Sequence, residues 1–229
     1  MDEINIKQKN IFSAGEGDAW FQRNTSHLKT IEQTALSEDV RYICESLSPF
    51  RQNIRKVLEI GCSNGIKLET ICHHFGSVGV GIEPSVLAVE SGNQRDKLAD
   101  VTLHVGTGDS LSYQTGEFDL VYFAFCLYLF DRQILMQSLA EADRVLKPGG
   151  FLVITDFDPG VLHKRPYSHH HGVFSYKQNY ADFFTQTGLY YLAGKHCFSH
   201  QLSYFDRAPD ERVSTCILYK EVDPYPMRV

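Results

Sequence analysis

Mostly apolar segments fall at 56–60, 78–82, 101–105, 120–124 and 151–155, and three of the gaps between them, 66–75, 85–98 and 132–146, repeat apolar residues at helical spacing. Runs that do not alternate with polar residues read as strands buried on both faces, and strands separated by helices must be joined by parallel crossovers. Two further runs, 189–198 and 213–219, have no helical pattern between them and read as an antiparallel pair at one edge. A last helix is predicted over 176–186. The first fifty residues differ, with a Gly-Glu-Gly break at 15–17 followed by amphipathic stretches. The pattern predicts an α/β fold: a doubly wound, mostly parallel seven-stranded sheet with an antiparallel edge pair and an N-terminal helical cap. All 229 residues are assigned to one domain, with a cap over 1–50, a core over 51–157, and a loop, helix and strands over 158–229.

Composition narrows the partners. Asp and Glu outnumber Lys and Arg by 28 to 22, a net charge of −6, so the overall field repels phosphate backbones and nucleic acid is not the expected partner. The longest apolar run, 120–130, is too short to span a bilayer and the N-terminus has no signal-peptide pattern, so the expected location is cytoplasmic, with no membrane partner. Six scattered cysteines without a Cys-x-x-Cys pair read as reduced core thiols. His169, His170 and His171 are adjacent on a loop, a spacing that cannot easily aim three rings at one ion, and no metal site is expected.

The chemistry concentrates where the first strand ends. Residues 57–65 read Val-Leu-Glu-Ile-Gly-Cys-Ser-Asn-Gly, a buried strand running through a glycine turn into a helix. This is the cofactor cradle of open α/β sheets, where glycines permit close backbone approach and the helix N-terminus faces the ligand. Gly61 and Gly65 stand four apart, so the turn is not the Gly-x-Gly-x-x-Gly that seats a dinucleotide pyrophosphate. Glu59 would repel a pyrophosphate but suits a ligand with an ammonium group, such as S-adenosylmethionine. After the second strand, Glu83 of Gly-Ile-Glu-Pro-Ser can accept both ribose hydroxyls, while Ser85 supplies the cap of the next helix. After the third, Asp109 of Gly-Thr-Gly-Asp-Ser can accept from an adenine amino group or form an Asx turn. Leu-Lys-Pro-Gly-Gly at 146–150 ends a helix and turns back into the sheet.

These four segments, and Phe-Asp-Leu-Val at 118–121 as a fifth, resemble in order and spacing the class I S-adenosylmethionine-dependent methyltransferases over residues 56–157. Ser63 stands where many members have a glycine. The resemblance implies a cofactor laid across the strand ends: Glu59 on the methionine ammonium; Gly61, Cys62, Ser63, Asn64 and Gly65 letting it pass close to the backbone; Glu83 and Pro84 at the ribose; Asp109 and Ser110 by adenine; and Ala124, Phe125 and Cys126 under the sulfonium.

The flanks bear on the acceptor. In the cap, Trp20 could face the sulfonium cation or a substrate ring and Arg23 could pair with the methionine carboxylate, while anchoring to the core explains the aromatic pair equally well. For an oxygen acceptor that sheds a proton, Tyr128, Asp158, His169 and His170 are the candidate catalytic residues, set within a polar segment that also holds Asp156, His163, Lys164, Arg165 and Tyr167. The cap together with the Asp-Phe-Asp-Pro and Tyr-Ser-His-His segments resembles bacterial methyltransferases associated with surface sugars or glycans, which implies a small-molecule or sugar-like acceptor. Two alternatives stand beside methyl transfer to oxygen: a non-catalytic cofactor-binding module, and a nicotinamide-dependent oxidoreductase on a related sheet, which the missing pyrophosphate fingerprint disfavours.

Overall fold

The computed structural model describes residues 8–34, 37–96 and 99–227. In chain order the elements are α1 (Gln8–Ile11), a π-turn (Phe12–Glu16), α2 (Gly17–Thr34), α3 (Glu38–Leu47), β1 (Lys56–Ile60), α4 (Ile66–Phe75), β2 (Val78–Glu83), α5 (Val86–Gln94), β3 (Val101–Val105), β4 (Phe118–Ala124), α6 (Leu135–Val145), β5 (Leu146–Phe157), β6 (His163–Pro166), β7 (Phe174–Lys177), α7 (Asp182–Thr185), β8 (Tyr190–Ser199) and β9 (Arg212–Lys220). Parts of the expected cap (1–7 and 35–36) and the end of the helix expected over 85–98 lie outside the described residues.

The main sheet has the order β3-β2-β1-β4-β5-β9-β8. The first five strands are parallel, β9 runs antiparallel to both β5 and β8, and β8 is the edge. The expected sheet is therefore the observed one. Strands β1 and β4 are central, and their alternate side chains feed two cores. Leu58, Ile60, Val121 and Phe123 pack with Leu135, Leu139, Ala142 and Val145 of α6 on one face. Val57, Leu120 and Tyr122 pack with α3 and α4 on the other. A strand buried on both faces needs no alternation in its sequence, which is why these runs are continuous.

Two expectations change. The 146–150 segment is the start of β5 and not a turn outside the sheet: Gly149 takes φ +80, and the register with β4 jumps from Phe118↔Leu146 to Leu120↔Phe151. The helix expected over 176–186 is reduced to Asp182–Thr185, because Tyr176 and Lys177 belong to a hairpin in which β7 pairs antiparallel with β6. Its Phe-Ser-Tyr-Lys strand is fixed by tertiary contacts, with the Arg132 guanidinium 4.2 Å from the Tyr176 ring centroid and the Lys164 ammonium 4.4 Å from that of Phe174. From β1 the chain crosses to β2 on one side and returns from β3 to β4 on the other, so the carboxyl end of β1 lies where the strand order reverses, the crevice in which open α/β sheets bind ligands.

Candidate functional site

The turn after β1 is built from unusual backbone. Gly61 has φ +77, and a Cβ there would lie 2.6 Å from the Cβ of Cys126, so no other residue fits without moving the strand beside it. Both the Gly61 and Cys62 N–H groups donate to the Ile82 carbonyl, tying the turn to β2. Ser63 (φ 49) and Phe125 (φ 56) hold left-handed conformations that non-glycine residues adopt only when their surroundings impose them. Gly65 caps α4 with φ 76.

Glu59 is buried beside this turn. Burial pushes its carboxyl up to about 8, opposed by the Lys67 ammonium and the Leu68 N–H and reinforced by the carboxyls of Asp39 and Glu83. Its Oε2 has no hydrogen-bond partner among the described residues. An isolated buried carboxylate oxygen is costly, and a cation placed against it would relieve that cost. Glu83 is pushed by burial up to about 7, and its two oxygens accept from the Ser63 N–H (2.9 Å) and the Ser85 N–H (3.1 Å).

Two connected chambers open at this turn. The narrower lies over β1, β2 and β4 and is lined by Ile60, Ile82, Glu83, Pro84, the Gly106–Gly108 backbone segment, Cys126 and Phe130, with Lys9, Phe12 and Gly17 closing it from the cap. The larger takes in Glu59, Cys62, Asn64, Asp39, Lys67 and Thr155, then runs under Tyr167 and His169 to the segment 198–203. Trp20, Gly61, Ser63, Ala124, Phe125 and Tyr128 line both and mark the junction. The cap is docked over the junction by Asp18, which accepts from Ser85 Oγ (2.6 Å) and the Leu87 N–H (3.1 Å). Gln8 grips Leu129 and Phe174 through their backbones.

Several residues chosen from the sequence stand elsewhere. Asp109 and Ser110 line neither chamber. Burial works against ionisation of Asp109, but the Lys9 ammonium at 2.6 Å and the Thr107 side chain outweigh it and hold the carboxyl below its usual range. Gly106, Thr107 and Gly108 take the lining position instead. Arg23 is committed to Glu16 (2.5 Å) and the Tyr167 hydroxyl (3.2 Å), clasping the cap to the loop between β6 and β7. Asp158 pairs with Lys195 at 2.6 Å and His170 turns its Nδ1 to the His171 carbonyl at 2.8 Å, so neither lines the chambers. His169 does, with its ring edge-on to Tyr167 at 5.3 Å. Tyr128 also does, and burial beside Asp156 raises its phenol well above the ordinary range, so it is a hydrogen-bond donor and not a base at neutral pH.

The sequence reading passed over Lys9, Phe12, Phe130, Phe198 and His200. Only the Phe-Ser-His order at 198–200, which puts Phe198 and His200 on one side of an extended chain, carries a local signal. Asp39 was also missed. It is buried, accepts from Lys67 Nζ and the Tyr122 hydroxyl (2.6 Å), and leads through Thr155 (3.1 Å) to Thr215 (2.8 Å). Among the described residues no cluster of three or more His, Cys, Asp or Glu could hold a metal ion, and no helix is long and apolar enough to cross a membrane.

The residues present fit the expected cofactor on two counts: an unpartnered carboxylate oxygen where an ammonium would sit, and a glycine cradle that a Cβ would fill. Comparisons with known proteins point the same way. Residues 57–150 match the family model described as a methyltransferase domain. Over 103 residues the chain is 31% identical to a demethylmenaquinone methyltransferase of Tropheryma whipplei, an alignment that covers 44% of this chain and 41% of that protein. The chain thus spans about two fifths of the curated relatives it matches first. Its fold is similar to a crystal structure of an S-adenosylmethionine-dependent methyltransferase from Methanosarcina mazei, with a TM-score of 0.60, 17% identity, and coverage of 77% of this chain and 97% of that one. It is also similar to the 1,6-didemethyltoxoflavin-N1-methyltransferase of Burkholderia thailandensis, solved with 1,6-didemethyltoxoflavin and S-adenosylhomocysteine, with a TM-score of 0.66, 12% identity, and coverage of 93% and 90%.

Proposed function

We propose, from the premise that residues 57–150 form a class I S-adenosylmethionine-dependent methyltransferase domain, that this protein transfers the cofactor's methyl group to an oxygen of a small-molecule acceptor. The observation that carries the reading is the buried, unpartnered Oε2 of Glu59 beside a glycine turn where two chambers meet. When bound, the cofactor supplies an electrophilic methyl group on a sulfonium. This chain's own task is to hold two molecules in line and keep water away.

In this reading Glu59 receives the methionine ammonium, and Gly61 and Ser63 leave room for the amino-acid arm to pass over the turn. Glu83 faces the ribose, and the apolar side chains of Ile60, Ile82 and Phe130 enclose the nucleoside. Lys9 stays with Asp109 as part of the cap's seating. Trp20 and Phe125, which line both chambers, would hold the sulfonium cation against their rings. His169, on the wall of the larger chamber, takes the proton from the acceptor hydroxyl, and the Tyr128 phenol donates a hydrogen bond there. A net charge of −6 supports a small acceptor over a polyanionic one.

Calorimetric titration with S-adenosylmethionine and S-adenosylhomocysteine tests the reading, followed by mass spectrometry of acceptors incubated with the protein and cofactor. Binding at one site per chain and a product heavier by one methyl group are expected. Absence of cofactor binding refutes it; binding without turnover across a broad acceptor panel favours a binding module; preferential binding of a nicotinamide dinucleotide favours an oxidoreductase.

A further inference from the structure

A cluster of rings stands at the larger chamber: Phe125, Tyr128 and His200 line it, and Phe157 packs against them. Phe125 lies 5.3 Å from Tyr128 and 5.0 Å from Phe157, and the His200 imidazole stacks on it at 5.5 Å with an interplanar angle of 11°. Phe157 is in turn 5.5 Å from His200 and has the Lys177 ammonium 3.7 Å above its ring centroid. The group is rigid: Phe125 is held in a left-handed conformation, and Phe157 ends the buried β5 strand. His200 is exposed and lines the chamber, and its backbone N–H is fixed to the Glu211 carbonyl at 2.9 Å.

Five of the chamber's polar side chains are engaged with protein partners, while the Ser37 and Ser63 hydroxyls and Glu59 Oε2 are not, among the described residues. Asp39 serves Lys67 and Tyr122, and Thr155 serves Tyr122 and Thr215. The Ser199 hydroxyl donates to Asp206 (2.9 Å) and accepts from the Gln201 N–H (3.2 Å), and Asn24 donates to the Trp20 carbonyl (2.8 Å). The Tyr167 hydroxyl is held by Glu16 and Arg23. A polyol entering here would give up water at each hydroxyl and meet committed groups on the side near Phe125 and His200, whereas a flat ring with one or two polar substituents would exchange water for ring faces there.

We infer that the acceptor is a planar aromatic molecule bearing a hydroxyl, seated against the platform formed by Phe125 and His200, with His200 acting as a specificity-determining stacking residue and His169 at the hydroxyl. This rests on the methyltransferase reading and narrows it from any small molecule, the sugar-like kind included, to an aromatic one. A ring on this platform would stand beside the junction, because Phe125 lines both chambers together with Trp20 and Tyr128.

The test uses the full chain saturated with S-adenosylhomocysteine, titrated calorimetrically with 2-naphthol and, separately, with methyl α-mannopyranoside. Naphthol is expected to bind and the mannoside not. His200→Ala should weaken naphthol about tenfold, the scale of one aromatic pair contact, with the S-adenosylhomocysteine affinity unchanged. His200→Phe, which keeps the flat face and removes the titratable nitrogens, should restore naphthol binding, a result that a proton-transfer role for His200 would not give. Failure of naphthol to bind the loaded protein, mannoside binding at equal or greater strength, or naphthol affinity indifferent to His200→Ala each overturns the aromatic assignment while leaving the methyltransferase reading in place. Failure of S-adenosylhomocysteine itself to bind overturns both.

Discussion

Glu59 predicts an uncommon pH dependence of cofactor affinity. In the free protein, burial raises its carboxyl from 4.5 to about 8, so at pH 7 most molecules carry it protonated. A ligand ammonium pairs with the ionised form, and the ligand's own α-amino group titrates at about 8. Affinity for S-adenosylmethionine should therefore peak near pH 8 and fall on either side, by about twentyfold between pH 8 and pH 6. The free protein should show the linked effect in its stability. Because the native state holds this proton more tightly than the unfolded chain, stability falls as pH rises from 4.5 toward 8, by up to about 5 kcal/mol for Glu59 alone. Glu83 (raised to about 7) and Asp156 (raised to about 8) add in the same direction. Glu59→Gln should flatten most of the acid limb and weaken binding at pH 8 by about ten- to hundredfold, the scale of a charge-assisted hydrogen bond, while stabilising the free protein at pH 8.5. Calorimetry from pH 6 to 9 and thermal melts over the same range read both effects. Flat affinity across pH 6–8, or a Glu59→Gln protein that binds as tightly as wild type, would refute the placement of the ammonium.

Gly61→Ala places a Cβ 2.6 Å from the Cβ of Cys126 at φ +77, and should abolish S-adenosylhomocysteine binding and lower the melting temperature; normal affinity by calorimetry would contradict the cradle. Tyr122→Phe leaves buried Asp39 short of a donor and Thr155 short of a partner, and should cost about 1–3 kcal/mol in chemical denaturation. Arg23→Ala cuts the clasp from Glu16 to Tyr167 and should speed cofactor release, read by stopped-flow fluorescence of Trp20, the single tryptophan, with little change in overall stability. His169→Ala should spare cofactor affinity and slow turnover by about a hundredfold or more, whereas Asp158→Asn, which alters a pair with Lys195 away from the chambers, should leave turnover near wild type.

The sheet was legible because its central strands are buried on both faces and leave continuous apolar runs, and because glycines and the Ser85 cap mark where each crossover begins. Glu59 lies near the end of β1, and the junction residues Gly61, Ser63 and Phe125 closely follow β1 or β4, so sequence order alone placed them at the crevice. The acceptor side was not legible in this way. Asp158 and His170 were drawn in by nearness in sequence to other polar residues, but β8 supplies Lys195 to the first, and the hairpin from β6 to β7 turns the second away. Asp109 sits where the strand pattern put it, yet its partner Lys9 arrives from the far end of the chain. His200 stacks on Phe125 only because β9 inserts between β5 and β8, a long-range pairing that no local window records.

A crystal structure of the complex with S-adenosylhomocysteine bears most directly on the whole account. The account predicts the ligand's ammonium within hydrogen-bond distance of Glu59 Oε2, its ribose at Glu83, and its sulfur at the junction of Trp20, Phe125 and Tyr128, facing the larger chamber. Density for the ligand away from the turn after β1, or the Glu59 oxygen still unpartnered in the complex, would contradict it.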